Sequence, residues 1–157
     1  MEIQLRKATI KDLQFLFDLR NEEAVRKVSF NSDPIGLETH KNWLEKKLAG
    51  NESVLLIAEE DSRPVAQVRF DWIDSREAEI NVAVTERFRG RGYGSEILKK
   101  SSERFFSDFP DCGKIHAFIK SDNKASIRSF EKAGYKFQAK AGHKGQISVE
   151  MILTRPV

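Results

Sequence analysis

The stretch RFRGRGYGSEIL, residues 87–98, places three arginines and three glycines within eight residues. AEINVAV runs into it and alternates like a strand; SEILKKSSERFF leads out of it and reads as an amphipathic helix. Few folds need so bare and so positive a loop at such a junction. A helix start leaves backbone N–H groups unpaired, with the positive end of the dipole behind them. An anionic group, phosphate above all, fits that place. Glycine lets the backbone approach closely, and Gly90, Gly92 and Gly94 alternate, so successive N–H groups can form a nest. Arg89 and Arg91 add charge beside it. The physical reading is a cradle for a diphosphate.

Two other accounts compete. A flexible connection with solvated arginines explains the glycines but not the helix that follows at once. An arginine-glycine segment for RNA belongs to long, apolar-poor tails, whereas this one is short and set between ordered elements. Among phosphate loops it is not a Walker type, since no Gly-Lys-Ser/Thr follows, and it lacks the GxGxxG of dinucleotide folds.

The rest of the chain bounds the answer. Its 157 residues suit one domain with a core of its own. The single cysteine, Cys112, excludes an internal disulfide and suggests a reducing, cytoplasmic setting. No stretch reads as a signal peptide or a membrane span, so no membrane is expected. Basic residues exceed acidic ones by three, 27 against 24, which makes no case for nucleic acid. No metal-ligand spacing stands out.

Periodicity predicts a strand at 3–8, a possible capping box at Thr9 and Asp12, then a helix over LQFLFDLR. Residues 20–36 read as a helix end and a loop broken at Asp33-Pro34 and Gly36. A second helix spans 37–50, with Leu37, His40, Trp43, Leu44 and Leu48 along one face and Gly50 as its stop. Strands 53–60 and 64–73 form a hairpin around Asp61–Arg63, and strand four covers 77–84. A helix from about Tyr93 to Phe109 precedes a strand at 114–119, a short helix at 125–134 closed by Gly134, and two last strands around a glycine-containing loop with His143. This order predicts an α/β (α+β) chain: a mixed sheet with helices on its faces.

Arg89 to Gly94 fits the pattern Q/R-x-x-G-x-G, as does Arg87 to Gly92 one step earlier. That pattern resembles the acetyl-CoA pyrophosphate loop of the GNAT-type N-acetyltransferases, where it also joins the fourth strand to a long helix. A second motif of the family, N-x-x-S-x-x-x-Y-x-x-x-G-F, is matched by Asn123, Ser126, Phe130, Gly134 and Tyr135. The element order resembles the family over nearly the whole chain, 1–157, as a single domain. The resemblance implies a central mixed, mostly antiparallel twisted sheet of about seven strands, flanked by about four helices.

It further implies acetyl transfer from acetyl-CoA to a primary amine by direct attack in a ternary complex. Val82, Ala83 and Val84 would offer backbone to the thioester arm and polarise the acetyl carbonyl. Arg89, Gly90, Arg91, Gly92, Tyr93, Gly94 and Ser95 would hold the pyrophosphate, and Asn123 the pantetheine arm, although Asn123 also suits a helix N-cap. Glu79 matches a position that serves as base in some members; it shares a face with Asn81 and Ala83, and a polar residue on the wet side of a sheet is the plainer account. His40, His116 and His143 are weaker rivals. Phe130 stands where the family often carries a tyrosine acid, and a phenyl ring donates no proton.

The stretch LRNEEAVRKVSFNSDPI resembles branches acting on nucleotide-linked amino sugars. Arg20, Asn21 and Arg26 would then meet a diphosphate, and Phe30, His40 and Trp43 the sugar or base. Solvated arginines and core aromatics are the plainer account of each. Ribosomal-protein alanine acetyltransferases offer a second acceptor, a protein N-terminus, and a catalytically weak acetyl-CoA sensor is a third reading. The family's habit of pairing through C-terminal strands leaves a homodimer open.

Overall fold

The computed structural model describes residues 2–157. Among these, seven strands form one sheet in the order β1-β2-β3-β4-β5-β7-β6. The strands are β1 (Ile3–Lys7), β2 (Ser53–Glu60), β3 (Arg63–Trp72), β4 (Glu77–Val84), β5 (Lys114–Lys120), β6 (Lys136–His143) and β7 (Gln146–Thr154). The helices are α1 (Leu13–Asn21), α2 (Glu23–Val28), α3 (Leu37–Ala49), α4 (Tyr93–Asp108) and α5 (Lys124–Lys132). β4 and β5 run parallel, whereas β1–β2, β2–β3, β5–β7 and β6–β7 are antiparallel. The mixed sheet is the one expected; the helices number five rather than about four. No helix among the described residues is long and apolar enough to cross a membrane.

Residues cluster into two compact units. One runs through Asp71 and takes in Asn81–Arg89; the other comprises Trp72–Ile80 and Gly90–Val157.

In the first unit, the capping box forms at Thr9 and Asp12. The N–H of Thr9 donates to Asp12 Oδ2 at 2.8 Å, and Arg6 grips the same carboxylate through two bonds of 2.9 and 2.7 Å. Burial opposes ionisation of Asp12, but Arg6 and the Thr9 amide outweigh it and hold its carboxyl below the ordinary value. Ala8, Leu16, Leu44, Leu55 and Ile57 make the core, with Leu13, Phe15 and Trp43 packed against it. The apolar stripe of α3 is buried only in its middle: His40 and Leu44 lie inside, while Leu37 and Leu48 are 46% and 36% exposed. Gly50 ends α3 in an extended conformation, not a left-handed one. The β2–β3 turn needs only two residues, Asp61 and Ser62, both at positive φ (49° and 64°), the twist that a tight hairpin favours. Their register shifts between Ala58 and Glu59, beside Pro64, which has no N–H to give the ladder.

In the second unit, α4 buries Ile97, Leu98, Ser101, Ser102, Phe105 and Phe106, a stripe at helical spacing. Trp72 and Phe109 close on Phe105, with ring centroids 4.8–5.3 Å apart. Arg155 caps the carbonyl end of this region, donating to Phe106 O, Phe109 O and Cys112 O at 2.6, 2.6 and 2.7 Å. A cation there suits the negative end of the helix dipole. Gly134, at φ +98°, ends α5 as expected: its N–H reaches Glu131 O, and the Tyr135 N–H reaches Phe130 O. His143 belongs to β6, not to the loop; Lys144 and Gly145 alone turn the last hairpin.

Candidate active site

In the second unit, the three glycines of the loop divide into two kinds. Gly90 and Gly92 have φ of +75° and +81°, where glycine is the residue that fits without strain. A Cβ on either would meet nothing within 4 Å. Conformation, not crowding, therefore demands glycine there, and the backbone lies open beside it. Gly94 differs. A Cβ there would come within 3.2 Å of Ser129 Oγ, so this glycine serves the close approach of α4 to α5. Gly92 is the N-cap of α4, and Ser95 Oγ donates to its carbonyl at 3.3 Å. Tyr93 is 3% exposed, so it offers a ligand its backbone and little else. Arg91 is exposed. An open, left-handed turn at a helix start, with a cation beside it, fits a phosphate group. Asn123 caps α5, its Oδ1 accepting from the Ser126 N–H at 3.2 Å, so the plainer account of that residue holds.

In the first unit, β4 ends at Val84 and a 3-10 turn, Glu86–Phe88, precedes Arg89, a turn that periodicity did not reveal. Arg89 spends donors on main-chain carbonyls, Nε on Val84 O at 3.1 Å and Nη1 on Ala24 O at 3.5 Å. Glu22 accepts from the Glu86 N–H at 2.9 Å. Val82, Ala83 and Val84 are half-buried.

The residues expected around an acceptor divide in the same unit. Arg20 donates to Asp33 O at 3.1 Å, and Arg26 Nε to Asn21 O at 3.3 Å. Asn21 is committed at both ends to Ile35. Arg20 and Asn21 thus hold the segment at Asp33 and Ile35, Arg26 bonds the end of α1, and Asn21 has both ends of its amide engaged. His40 is 4% exposed and stacks on Trp43, with centroids 5.2 Å apart and planes 23° apart. Its Nε2 has no hydrogen-bond partner in the protein. Burial, with the charge of Arg20, holds the imidazole below its ordinary value. Trp43 also carries Arg69 over its face at 5.4 Å, and Phe30 is half-buried.

Glu79 lies in the second unit, in register with His116 of β5. His116 is gripped by two carboxylates: Nε2 to Glu77 Oε1 at 2.5 Å and Nδ1 to Glu150 Oε2 at 2.8 Å. Burial would lower its basicity, but the bonds and charges of Glu77 and Glu150 outweigh it and hold the imidazole above its ordinary value. His143 Nε2 stands 3.9 Å from Glu79 Oε2, and its ring lies flat on Phe118, 4.2 Å between centroids and 3° between planes. Glu77, Glu79, His116, Phe118 and Glu150 therefore share one face of the sheet. Glu77 and Glu150 were not anticipated. Alternation in EAEINVAV and ISVEMIL could have placed each on a face, but only strand pairing brings β7 beside β5. Phe130 is 3% exposed and edge-on to Tyr135, whose hydroxyl pairs with Ser102 Oγ at 2.8 Å and is pushed well up by burial. Phe130 is core material, and Tyr135 is a poor candidate for a proton donor.

Comparison with known proteins bears on the family. The profile of the acetyltransferase (GNAT) domain matches residues 2–136. An acetyltransferase of Pectobacterium atrosepticum is 28% identical over 89 residues, 57% of this chain and 62% of that protein, so the chain covers less than two thirds of that relative. A Bacillus subtilis protein provisionally named a phosphinothricin acetyltransferase is 29% identical over 137 residues, 82% of this chain and 80% of its own. Among solved structures, the aminoglycoside acetyltransferase AAC(6')-Ib, in complex with ribostamycin and coenzyme A, has a TM-score of 0.87 at 22% identity, covering 99% of this chain and 94% of that one. Spermidine N-acetyltransferase from Vibrio cholerae, in complex with CoA and spermine, also has a TM-score of 0.87, at 17% identity, covering 97% and 95%. At such identities these two structures speak for the fold. With the profile running from the start of β1 to the start of β6, the chain belongs to the GNAT acetyltransferases, enzymes whose donor is acetyl-CoA.

Proposed function

We propose that the protein transfers acetyl from acetyl-CoA to a primary amine by direct attack, and that the acceptor is a small cationic amine. The observation that carries the acceptor class is the gathering of Glu77, Glu79 and Glu150 on one sheet face. Glu77 and Glu150 close on His116 and Glu79 lies in register with it, while Lys114 and Lys120 stand at the two ends of β5 on the same face; a carboxylate cluster of this kind attracts ammonium groups. The neighbours crystallised with ribostamycin and with spermine accord with this reading. We take residues 1–157 as one GNAT domain, because the β6–β7 hairpin beyond the family match completes the sheet.

Acetyl-CoA supplies the activated thioester. The open backbone at Gly90 and Gly92, with the first amides of α4 and the Arg91 charge, binds its pyrophosphate. Gly94 and Tyr93 position that turn through packing. An N–H of Val82, Ala83 or Val84 polarises the acetyl carbonyl. Asn123 reaches the pantetheine arm with its Nδ2 donors and the oxygen lone pair that its cap leaves free. Glu79 takes the proton that the acceptor ammonium must lose before its nitrogen can attack.

A second reading, a nucleotide-linked amino sugar, draws on Arg20 and Arg26. Each guanidinium has five N–H donors, and the bonds described above leave several for a diphosphate. Phe30, His40 and Trp43 would then flank the sugar or base.

The test is CoA thiol release with four acceptors in parallel: spermidine, an aminoglycoside, a UDP-linked 4-amino-4,6-dideoxy sugar and a peptide with a free N-terminal alanine. Turnover on the polyamine or the aminoglycoside is expected. Turnover on the UDP sugar alone would move the acceptor to Arg20 and Arg26, and turnover on the peptide alone would reject both small-molecule readings.

A further inference from the structure

Two histidines stand beside Glu79, and the structure treats them differently. His116 is its neighbour in register, but both of its ring nitrogens are engaged, by Glu77 and by Glu150. It has no nitrogen left to accept a proton. His143 approaches from β6, with Nε2 3.9 Å from Glu79 Oε2. That distance lies within ion-pair range and exceeds a hydrogen bond by about 1 Å, a gap that one bridging water or a small side-chain rotation closes. Apo sites often hold their catalytic bonds long in this way. The His143 ring cannot drift freely, because it lies flat against Phe118. A positive charge formed on that imidazole would meet the negative face of the phenyl ring.

We propose that His143 is the proton-relay partner of Glu79. The inference rests on the base role given to Glu79 above. In the step, a carboxylate oxygen of Glu79 takes one proton from the acceptor ammonium, so an N–H bond breaks and an O–H bond forms. His143 Nε2 then takes that proton, the Glu79 O–H bond breaks, and the carboxylate returns while imidazolium forms. Water receives the proton from His143 at the end of the cycle. The second proton leaves the nitrogen after attack and balances the one taken up by the departing CoA thiolate. His143 touches neither donor nor acceptor in this scheme and is a positioning and relay residue. Glu79 is the charged group His143 approaches; Glu77, His116, Lys120 and Glu150 share the same sheet face, and the His116 clamp keeps Glu77 and Glu150 out of the exchange.

Two measurements test it. The first needs neither CoA nor an acceptor. Long-range nitrogen–proton spectra at fixed neutral pH resolve the ring nitrogens of only three histidines, assigned with His143→Gln and His40→Gln. Glu79→Gln should move the His143 nitrogens and leave those of His116 nearly in place. Unchanged His143 signals would overturn the coupling, whatever the acceptor proves to be. The second uses the amine with the highest turnover in the panel above. His143→Ala should lower kcat by roughly 10- to 100-fold with KM for acetyl-CoA unchanged, and added imidazole should restore part of it. The double variant with Glu79→Gln should be no slower than Glu79→Gln alone, because a broken relay cannot be broken twice. Multiplying losses without imidazole rescue would overturn the relay and make His143 a structural residue. If no amine turned over, the acceptor reading would fall, while the spectra would still decide the pairing.

Discussion

Asn21 holds Ile35 by both ends of its amide: Nδ2 donates to the Ile35 carbonyl at 2.9 Å, and Oδ1 accepts the Ile35 N–H at 2.8 Å. The side chain thus imitates a neighbouring strand for one residue of the segment between α2 and α3. Asn21→Ala removes both bonds and leaves two half-buried backbone groups without a partner. The expected loss is about 1–3 kcal/mol of stability, read from denaturant melts. Asn21→Asp keeps the acceptor and loses the donor, so it should fall between the two. Amide exchange at Ile35 should quicken in Asn21→Ala and change little in Asn21→Asp, whose carboxylate still accepts the Ile35 N–H. An Ile35 amide equally protected in Asn21→Ala would show that the segment is held by something else.

Gly94 and Ser129 set a second relationship that reads out in energy. A methyl at position 94 would lie 3.2 Å from Ser129 Oγ and 3.6 Å from its Cβ. In a helix, alanine is favoured over glycine by about 1 kcal/mol. Crowding against Ser129 opposes that gain in Gly94→Ala. Made on a Ser129→Ala background, the same substitution loses its closest clash and should stabilise by up to about 1 kcal/mol. The difference between the two backgrounds is the measurement. Equal effects in both would place the crowding elsewhere. CoA affinity should change little in Gly94→Ala and much in Gly92→Val, because of these two glycines Gly92 alone sits in a left-handed turn.

The clamp on His116 makes stability depend on pH with a definite sign. Its folded value is raised above the ordinary 6.5 by Glu77 and Glu150. The folded state therefore binds a proton that the unfolded chain releases first. This contribution is complete below about pH 6.5 and is lost as pH rises through the higher folded value. Melting temperatures of wild type and His116→Gln, compared from pH 6 to 9, should converge as pH rises. A constant gap across that range would mean that the imidazole does not carry the charge the clamp requires.

Much of this was legible in the chain before any coordinates. Alternation, apolar runs and turn residues located all seven strands, and the glycine-rich junction marked the start of α4, because each signal is local in sequence. What escaped depends on distant partners or on short elements. Helix α2 has six residues and one buried side chain, Val25, too little for a period to show. The role of Gly94 depends on Ser129, thirty-five positions away, and three glycines in alternation look alike until α5 is packed against one of them. The His116 clamp requires β7 to enter the sheet beside β5, and the sequence order places those strands far apart. Arg20 and Asn21 look available for ligands as polar side chains in a row; only the course of residues 29–36 shows that they meet the carbonyls of Asp33 and Ile35.

His40 supplies the opposite pH dependence to His116. It is 4% exposed, and burial, with the charge of Arg20, holds it below the ordinary 6.5. Below that pH the unfolded chain takes up a proton that the folded protein resists. The contribution of the neutral, buried ring is therefore complete above about pH 6.5 and shrinks as pH falls toward the lower folded value. His40→Phe keeps an aromatic ring against Trp43 and removes the titration. Its melting temperature should fall less than that of wild type between pH 7 and 5, and the two should run parallel above pH 7. Carboxylates such as Asp12 weaken at still lower pH in both proteins, so they do not contribute to the difference. Parallel curves over the whole range would show that His40 gains its proton without leaving the core, and the unpaired Nε2 would then have to find a partner in the protonated state.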